Sequence, residues 1–168
     1  VSDHYIYEIA NYGSGVAPFY TTLAIWVGMT ILVSLVKVNA DTKGLKNPKP
    51  SQLYFGRYLI FFVLSQIQTT IIVLGDLLLL KIQCPHPFAF WVTASITSLT
   101  FSLLIYSYTI AFGDIGKAFA VVIMVIQIAG SGGTYPIEAL PSFFKAVYIF
   151  FPFPYAINGM RECIGGMY

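Results

Sequence analysis

The chain has 168 residues, of which 57% are hydrophobic and 10% charged, and its formal net charge is +2. Ordinary soluble domains carry about 25% charged residues. The composition, with a mean hydropathy of +0.76, therefore excludes a water-soluble globular protein, and so small a net charge leads us to expect no nucleic-acid partner. We expect most of the apolar residues to face a lipid bilayer.

Three apolar blocks are long enough to cross a bilayer as helices. A hydrocarbon core of about 30 Å needs about 20 residues in a helix that rises about 1.5 Å per residue. The blocks cover about residues 19–36, 58–80 and 88–112, and none of them contains Lys or Arg. A fourth block, residues 117–133, ends in the glycine-rich string that holds Gly130, Gly132 and Gly133. There we expect a short or broken span.

The basic residues of the short loops predict the orientation, because such residues are retained on the cytoplasmic side. The loop between the first two blocks carries five of them, namely Lys37, Lys43, Lys46, Lys49 and Arg57. This loop, and the turn at residues 113–117 with its Lys117, are therefore predicted to be cytoplasmic. Alternation places residue 1, the turn at residues 83–87 and everything after Gly133 on the outer side.

The tail, residues 134–168, is apolar but is divided by four prolines, namely Pro136, Pro141, Pro152 and Pro154. Proline breaks the interior of a helix and suits its first turn. We predict two short helices, from Pro141 to about Phe151 and from Pro154 to about Ile164, that form an external re-entrant or interfacial hairpin. Irregular backbone at membrane depth needs protein or a water-filled cavity around it, so the hairpin is a candidate cap on a pathway.

Asp76 is the one acid inside the first three apolar blocks, where a charge costs about 2.5 to 3.5 kcal/mol. One interpretation has Asp76 line a conduit or take part in a proton step, beside Gln66 and Gln68. The other has it pair with Lys81 or with a neighbouring helix near the outer interface. The candidate pathway or gate residues are Asp76, Gly130, Gly132, Gly133, Pro136 and Glu138.

The third block is rich in small hydroxyl side chains, namely Thr93, Ser95, Thr97, Ser98, Thr100, Ser102, Ser107 and Thr109. Such residues let helices approach and hydrogen-bond, which favours helix packing over a polar pathway. Tyr106 and Tyr108, near the inner end of this block, are predicted to be interface anchors.

No set of residues indicates catalysis or a cofactor. Cys84 and Cys163 both fall on the predicted outer side, where a disulfide persists. Their spacing does not show that they meet, and two cysteines without a disulfide framework favour free thiols over a bridge. His86 stands in Cys-Pro-His-Pro, which is more typical of a tight turn than of a metal site. Since neither a catalytic set nor zinc spacing occurs, we predict no enzymatic activity and no catalytic, cofactor-binding or metal site.

Four stretches carry a resemblance to a known family. They are APFYTTLAIWVG from Ala17, YFGRYL from Tyr54, FGDIGKA from Phe112, and IAGSGGTYPIEALPSFFKAVYIFFPFPYAINGMRE from Ile128. With them the chain resembles the C-terminal membrane domain of the YhgE/Pip (phage infection protein) family, within the type-2 ABC exporter superfamily. The resemblance covers most of the chain, and its last stretch is similar to the external helical hairpin of that superfamily.

The resemblance implies an all-α, polytopic helix bundle of the ABC type-2 permease kind, with residues 1–168 as a fragment of one membrane domain. The four blocks would be the second to fifth of six spans. A first span and a large external domain would precede residue 1, and the last span would follow residue 168. An outer N-terminus agrees with the orientation that the charges predict. The implied location is the plasma membrane of a Gram-positive bacterium.

The implied function is that of a membrane subunit of an export complex, which forms a pathway as a homodimer or paired half with an ATPase in trans. The string from Gly113 to Lys117 lacks the spacing and the Ser or Thr of a phosphate-binding loop. Lys43, Lys46 and Lys49 are candidate contacts to the ATPase, although attraction to anionic lipid, about 1 kcal/mol per residue, explains them as well. The alternatives are a membrane anchor of a phage receptor or surface protein and an accessory component of type VII secretion.

Overall fold

The computed structural model describes residues 12–41, 44, 47–133 and 141–165. This part of the chain is helical and contains no β-strand. Its α-helices are α1 Tyr12–Leu35, α2 Pro50–Leu74, α3 Pro87–Phe112, α4 Asp114–Gly130, α5 Ser142–Val147 and α6 Pro152–Gly165. A π-helical turn, Gly75–Leu79, extends α2, and a 3-10 turn, Tyr148–Phe150, follows α5. The prediction of an all-α chain is confirmed for these residues.

Three helical segments are long and apolar enough to cross a membrane, namely Tyr12–Leu35, Pro50–Leu79 and Pro87–Phe112. They confirm the first three predicted spans. The first and second begin several residues earlier than predicted, because the polar ends of a spanning helix lie outside the apolar block. Pro50 and Pro87 each stand in the first turn of a helix, where the missing N–H breaks no helical hydrogen bond.

The fourth predicted span is the short helix α4, which has 17 residues and begins and ends three residues earlier than the predicted 117–133. It starts directly after Gly113, whose φ of +60° ends α3, and Asp114 places a negative charge at its N-terminus. A helix of this length measures about 26 Å. It is not among the three spanning segments, so a fourth span remains a prediction.

The tail contains two short helices, but their predicted boundaries are wrong. α5 ends at Val147 and tightens into the 3-10 turn Tyr148–Phe150, so it does not extend to Phe151. α6 begins at Pro152 rather than Pro154, because both prolines fit within a first turn that needs no donor. Residues 134–140 lie outside the described part of the chain, and the outer location of the hairpin remains a prediction.

α3 lies at the centre of the bundle and packs against α1, α2, α4 and α6. The indole of Trp26 on α1 joins four of these helices. Its ring meets Phe101 on α3 edge-on at 4.9 Å between centroids and Phe153 on α6 at 5.5 Å. Its Nε1 donates a 3.2 Å hydrogen bond to the carbonyl of Ala120 on α4. Aromatic burial therefore fixes the positions of these helices.

One face of α2 points away from the bundle. Its apolar residues recur every fourth position and are all exposed, namely Phe55, Leu59, Val63, Ile67 and Ile71. The opposite face buries the hydroxyls of Ser65 and Thr69. A helix that has an apolar outer face and a polar face toward the bundle is typical of a helix that borders lipid.

Candidate functional site

The end of α4 is attached to α6 by one arginine. Nη2 of Arg161 donates hydrogen bonds of 3.2 Å to the carbonyl of Gly132 and 3.0 Å to that of Gly133. Nη1 lies 3.4 Å from Oδ1 of Asn158, one helical turn earlier on α6. Carbonyls beyond the end of a helix have no helical partner, so the guanidinium satisfies two of them. We name this contact the Arg161 latch.

The glycines at the latch have little room for a side chain. A Cβ atom on Gly133 would overlap the ring of Phe19 on α1, and one on Gly130 would lie 2.7 Å from Cδ1 of Phe144 on α5. Gly132 has a φ of +67°, which glycine adopts without strain. The structure thus brings Gly130, Gly132 and Gly133 together with helices α1, α5 and α6. Two other predicted gate residues, Pro136 and Glu138, lie outside the described residues.

A cavity of about 340 Å³ opens beside the latch, between the first half of α1 and α6. It is lined by Ser14, Gly15, Pro18, Asn158, Arg161, Glu162, Ile164 and Gly165. This volume is within the range of small-molecule sites, about 300 to 1,000 Å³. Sequence reasoning did not find Arg161 as a site residue, although a basic residue in a largely apolar tail was a signal.

Asp76 does not line this cavity. It lies in the π-helical turn, is 8% exposed, and accepts a 2.6 Å hydrogen bond at Oδ2 from the hydroxyl of Thr21 on α1. Lys81 forms no ion pair with it, although both residues are described. Of the two partners that the sequence left open, the neighbouring helix is the one observed. A role of Asp76 in a pathway remains a prediction.

The hydroxyl side chains of α3 take part mainly in helix packing. The hydroxyl of Ser98 donates to the carbonyl of Ser65 on α2, and Ser102 and Ser107 each share a hydrogen bond with a tyrosine of α2. The interpretation of Tyr106 as an interface anchor is wrong. Its side chain is fully buried, and its hydroxyl donates 3.0 Å to the carbonyl of Tyr54.

The basic loop is described only in part, since Lys43 and Lys46 lie outside the described residues. The backbone N–H of Lys49 donates 3.0 Å to Oε1 of Gln52 at the start of α2, and the Lys49 side chain is exposed. Arg57 donates from Nε to the carbonyl of Lys37 at 2.8 Å. The bond from Arg57 to Lys37 connects the two ends of the loop, and contact with an ATPase remains a prediction.

Gln127 was also missed by the sequence. Its Oε1 accepts a 3.2 Å hydrogen bond from the backbone N–H of Phe153, in the first turn of α6. Its Nε2 is buried and has no partner among the described residues. A buried glutamine that connects two helices is recognisable only when both helices are in place. The described residues contain no group of three or more His, Cys, Asp or Glu side chains arranged to hold a metal ion.

Cys84 and Cys163 are free thiols that lie near each other. Sγ of Cys84 is 3.6 Å from the carbonyl oxygen of Cys163. The sequence left the disulfide open, and in this structure it is not formed.

The family model described as ABC-2 family transporter protein matches residues 4–168. The chain belongs to this family. The chain is also 30% identical, over 162 residues, to a Bacillus subtilis (strain 168) protein named "Uncharacterized protein YhgE". The match covers 96% of this chain and 21% of that relative, so the chain spans about a fifth of its length. No solved structure matches.

The predicted resemblance to the YhgE/Pip family is therefore confirmed. The chain is thus a helical, membrane-spanning member of the ABC-2 transporter family.

Proposed function

We propose that this chain is the membrane-spanning part of an ABC-2-type exporter that a separate ATPase subunit drives. The match to the ABC-2 transporter family over residues 4–168 carries the proposal. It is supported by the string from Gly113 to Lys117, which reads GDIGK and lacks the spacing and following hydroxyl residue of a phosphate-binding loop.

The proposed gate is the Arg161 latch together with the hairpin of α5 and α6. Release of substrate on the outer side requires α6 to move relative to the end of α4. Arg161 must then give up its bonds to Gly132 and Gly133, and Phe19 must separate from the glycine backbone. A contact of this kind has two discrete arrangements, bonded and released, which suits a gate.

Two further parts of the proposal come from the family and the charges. The chain acts in the plasma membrane of a Gram-positive bacterium, as a homodimer or as one half of a paired membrane unit. An external domain and a first span precede it, which fits a relative of which this chain covers 21%. The loop with Lys43, Lys46 and Lys49 faces the cytoplasm and contacts the ATPase.

Affinity purification of the full-length protein from gently solubilised membranes tests the proposal. We expect an ATPase to copurify, and we expect Lys43→Glu, Lys46→Glu and Lys49→Glu together to abolish its association. The matched control reverses Lys81 and Lys145, which are exposed and lie on the predicted outer side, and it should retain the ATPase.

A different set of partners would contradict the exporter. If only envelope proteins copurify, the spans anchor an external domain, as in the phage-receptor alternative. Copurification with type VII secretion proteins would instead support the accessory role.

The gate has its own test in Arg161→Ala. We expect faster hydrogen–deuterium exchange in α6 and ATPase activity uncoupled from substrate, because two backbone carbonyls lose their partner. Arg57→Ala is the matched control, since Arg57 also donates to a backbone carbonyl, that of Lys37, but at the other end of the bundle. Unchanged exchange in α6 would show that Arg161 holds no gate.

A further inference from the structure

Two cysteines from distant parts of the sequence meet beside the latch. Cys84 lies in the loop between the π-helical turn and α3, and Cys163 lies in the last turn of α6. Sγ of Cys84 is 3.6 Å from the carbonyl oxygen of Cys163. The chain contains two cysteines in all, and the fold places them together.

The distance is short enough for a disulfide after a small rearrangement. A carbonyl oxygen lies about 2.4 Å from the Cα atom of its own residue, so Sγ of Cys84 is within about 6 Å of Cα of Cys163. In a disulfide the two sulfurs lie about 2.05 Å apart and the two Cβ atoms about 3.8 Å apart, so Sγ of Cys84 must come closer to Cys163 before the bond forms. Sγ of Cys163 now lies 3.3 Å from the carbonyl of Gly159 and 3.8 Å from Oγ1 of Thr93. Its side chain must turn away from Gly159 toward Cys84.

Because of where the two cysteines lie, a disulfide between them would restrain the movement of α6. Cys163 is two residues from Arg161, on the helix that the latch attaches to α4. Cys84 belongs to a loop that also contacts α1, since the backbone N–H of Gln83 donates 2.9 Å to the hydroxyl of Ser14. A covalent link between these points would prevent α6 from moving relative to α1 and α3.

We propose that Cys84 and Cys163 form a reversible disulfide that fastens α6 to the loop before α3 and holds the latch closed. The proposal rests on the outer placement of both residues in the proposed function, since disulfides persist outside the cytoplasm. The oxidant is a thiol–disulfide oxidoreductase of the outer face.

The exchange is balanced in two steps. The thiolate of Cys84, the more exposed of the two, attacks the disulfide of the oxidoreductase and forms a mixed disulfide while one oxidoreductase thiolate leaves. The thiolate of Cys163 then attacks the sulfur of Cys84 and displaces the second oxidoreductase thiolate. Two protons pass from the cysteines to the leaving thiolates, and two electrons reduce the oxidoreductase.

The pairing is tested on the full-length protein in native membranes. Intact cells are treated with N-ethylmaleimide to block free thiols, and the protein is digested without reduction and analysed for the peptide that links Cys84 to Cys163. We expect the linked peptide in cells that received no oxidant or reductant before the block. The amount of this peptide should increase after oxidation with diamide and should fall to zero after reduction with dithiothreitol. The matched control, Cys84→Ser with His86→Cys, moves the thiol two residues along the same loop, to an exposed position. It should give roughly tenfold less linkage because its geometry is wrong.

The outcomes separate this inference from the proposed function. No linkage even in permeabilised, diamide-treated membranes would overturn the pairing and would leave the exporter proposal standing. If the Cys84–Cys163 peptide appears only after permeabilisation, the two cysteines do not face the outer side, and the proposed reversible disulfide is overturned as well. The effect on motion is read from α6, whose hydrogen–deuterium exchange should be slower in the oxidised protein than in the reduced one. This difference should disappear in Cys84→Ser. Equal exchange in the oxidised and reduced forms of the unmodified protein would contradict the proposal that the disulfide restrains α6.

Discussion

The hydroxyl of Thr21 on α1 donates a 2.6 Å hydrogen bond to the carboxylate of Asp76, in the π-helical turn that ends the second span. Both side chains are buried, with 2% and 8% of their surfaces exposed. Bonds between membrane helices contribute about 0.6 kcal/mol on average and about 1.7 kcal/mol at most. The acid that appeared costly in the sequence therefore connects two helices.

A double-mutant cycle of Thr21→Val and Asp76→Leu should give a coupling energy of about 0.6 to 1.7 kcal/mol. It is measured by reversible unfolding of the full-length protein in detergent. Thr30→Val is the control, because the Thr30 hydroxyl bonds to the carbonyl of Trp26 within its own helix and should show no coupling to Asp76. Zero coupling for Thr21 would contradict this assignment.

Gly116 should be much less tolerant of alanine than Gly56. A Cβ atom on Gly116 would overlap the backbone carbonyl of Tyr108, whereas one on Gly56 would meet no atom within 4 Å. The backbone of Tyr108 cannot rotate away as a side chain can. Gly116→Ala should therefore destabilise the folded protein by about 1 to 3 kcal/mol. Gly56→Ala should stabilise by about 0.5 to 1 kcal/mol, because alanine favours the helix. Thermal unfolding of both variants in detergent compares them, and equal effects would refute the close approach.

The two tryptophans should differ in their contribution to stability. Trp26 is 1% exposed and contacts Phe101 and Phe153, whereas Trp91 is 37% exposed. Trp26→Ala should cost about 3 to 5 kcal/mol in free energy of unfolding. Trp91→Ala should cost clearly less, since it loses mainly the bond from Nε1 to the hydroxyl of Thr70. Denaturant unfolding followed by circular dichroism decides it, and a larger loss at Trp91 would contradict the packing.

In the reduced protein, Cys84 should react slowly with thiol reagents at neutral pH. Burial raises the pKa of the Cys84 thiol, and the backbone hydrogen bond from His86 offsets only part of this effect. Since the thiolate is the reactive form, a raised pKa leaves less of it at pH 7, and the labelling rate should keep rising with pH after that of a solvated thiol has levelled off. The reference is Cys84→Ser with His86→Cys, and identical pH profiles would contradict the burial.

The proposed topology predicts opposite labelling at two introduced cysteines. Lys46→Cys, in the loop expected to be cytoplasmic, should resist a membrane-impermeant maleimide in intact cells, whereas Ser142→Cys should be labelled. The background for both is a variant without native cysteines in this chain. Labelling of Lys46→Cys in intact cells would invert the orientation, because the charge rule would then have failed.

The sequence alone was sufficient to identify a membrane protein and to locate three spans and their family. Length and apolar content decide whether a helix crosses a bilayer, and both are local properties of the chain. The start of α3 at Pro87 was predicted to within one residue for the same reason. The predicted helix boundaries were wrong where two local signals compete. Pro152 and Pro154 both suit the first turn of a helix, so the sequence did not show which of them begins α6.

The contacts of the candidate site depended on tertiary structure. Arg161, Gln127 and the pair Cys84 and Cys163 acquire their partners from segments that are 26 to 79 positions away. No local pattern encodes such separations, because which side chains meet depends on how the helices rotate and cross. Asp76 shows the difference most clearly. The cost of its charge could be derived from the bilayer, but its partner, Thr21, became known only when α1 was packed against the end of α2.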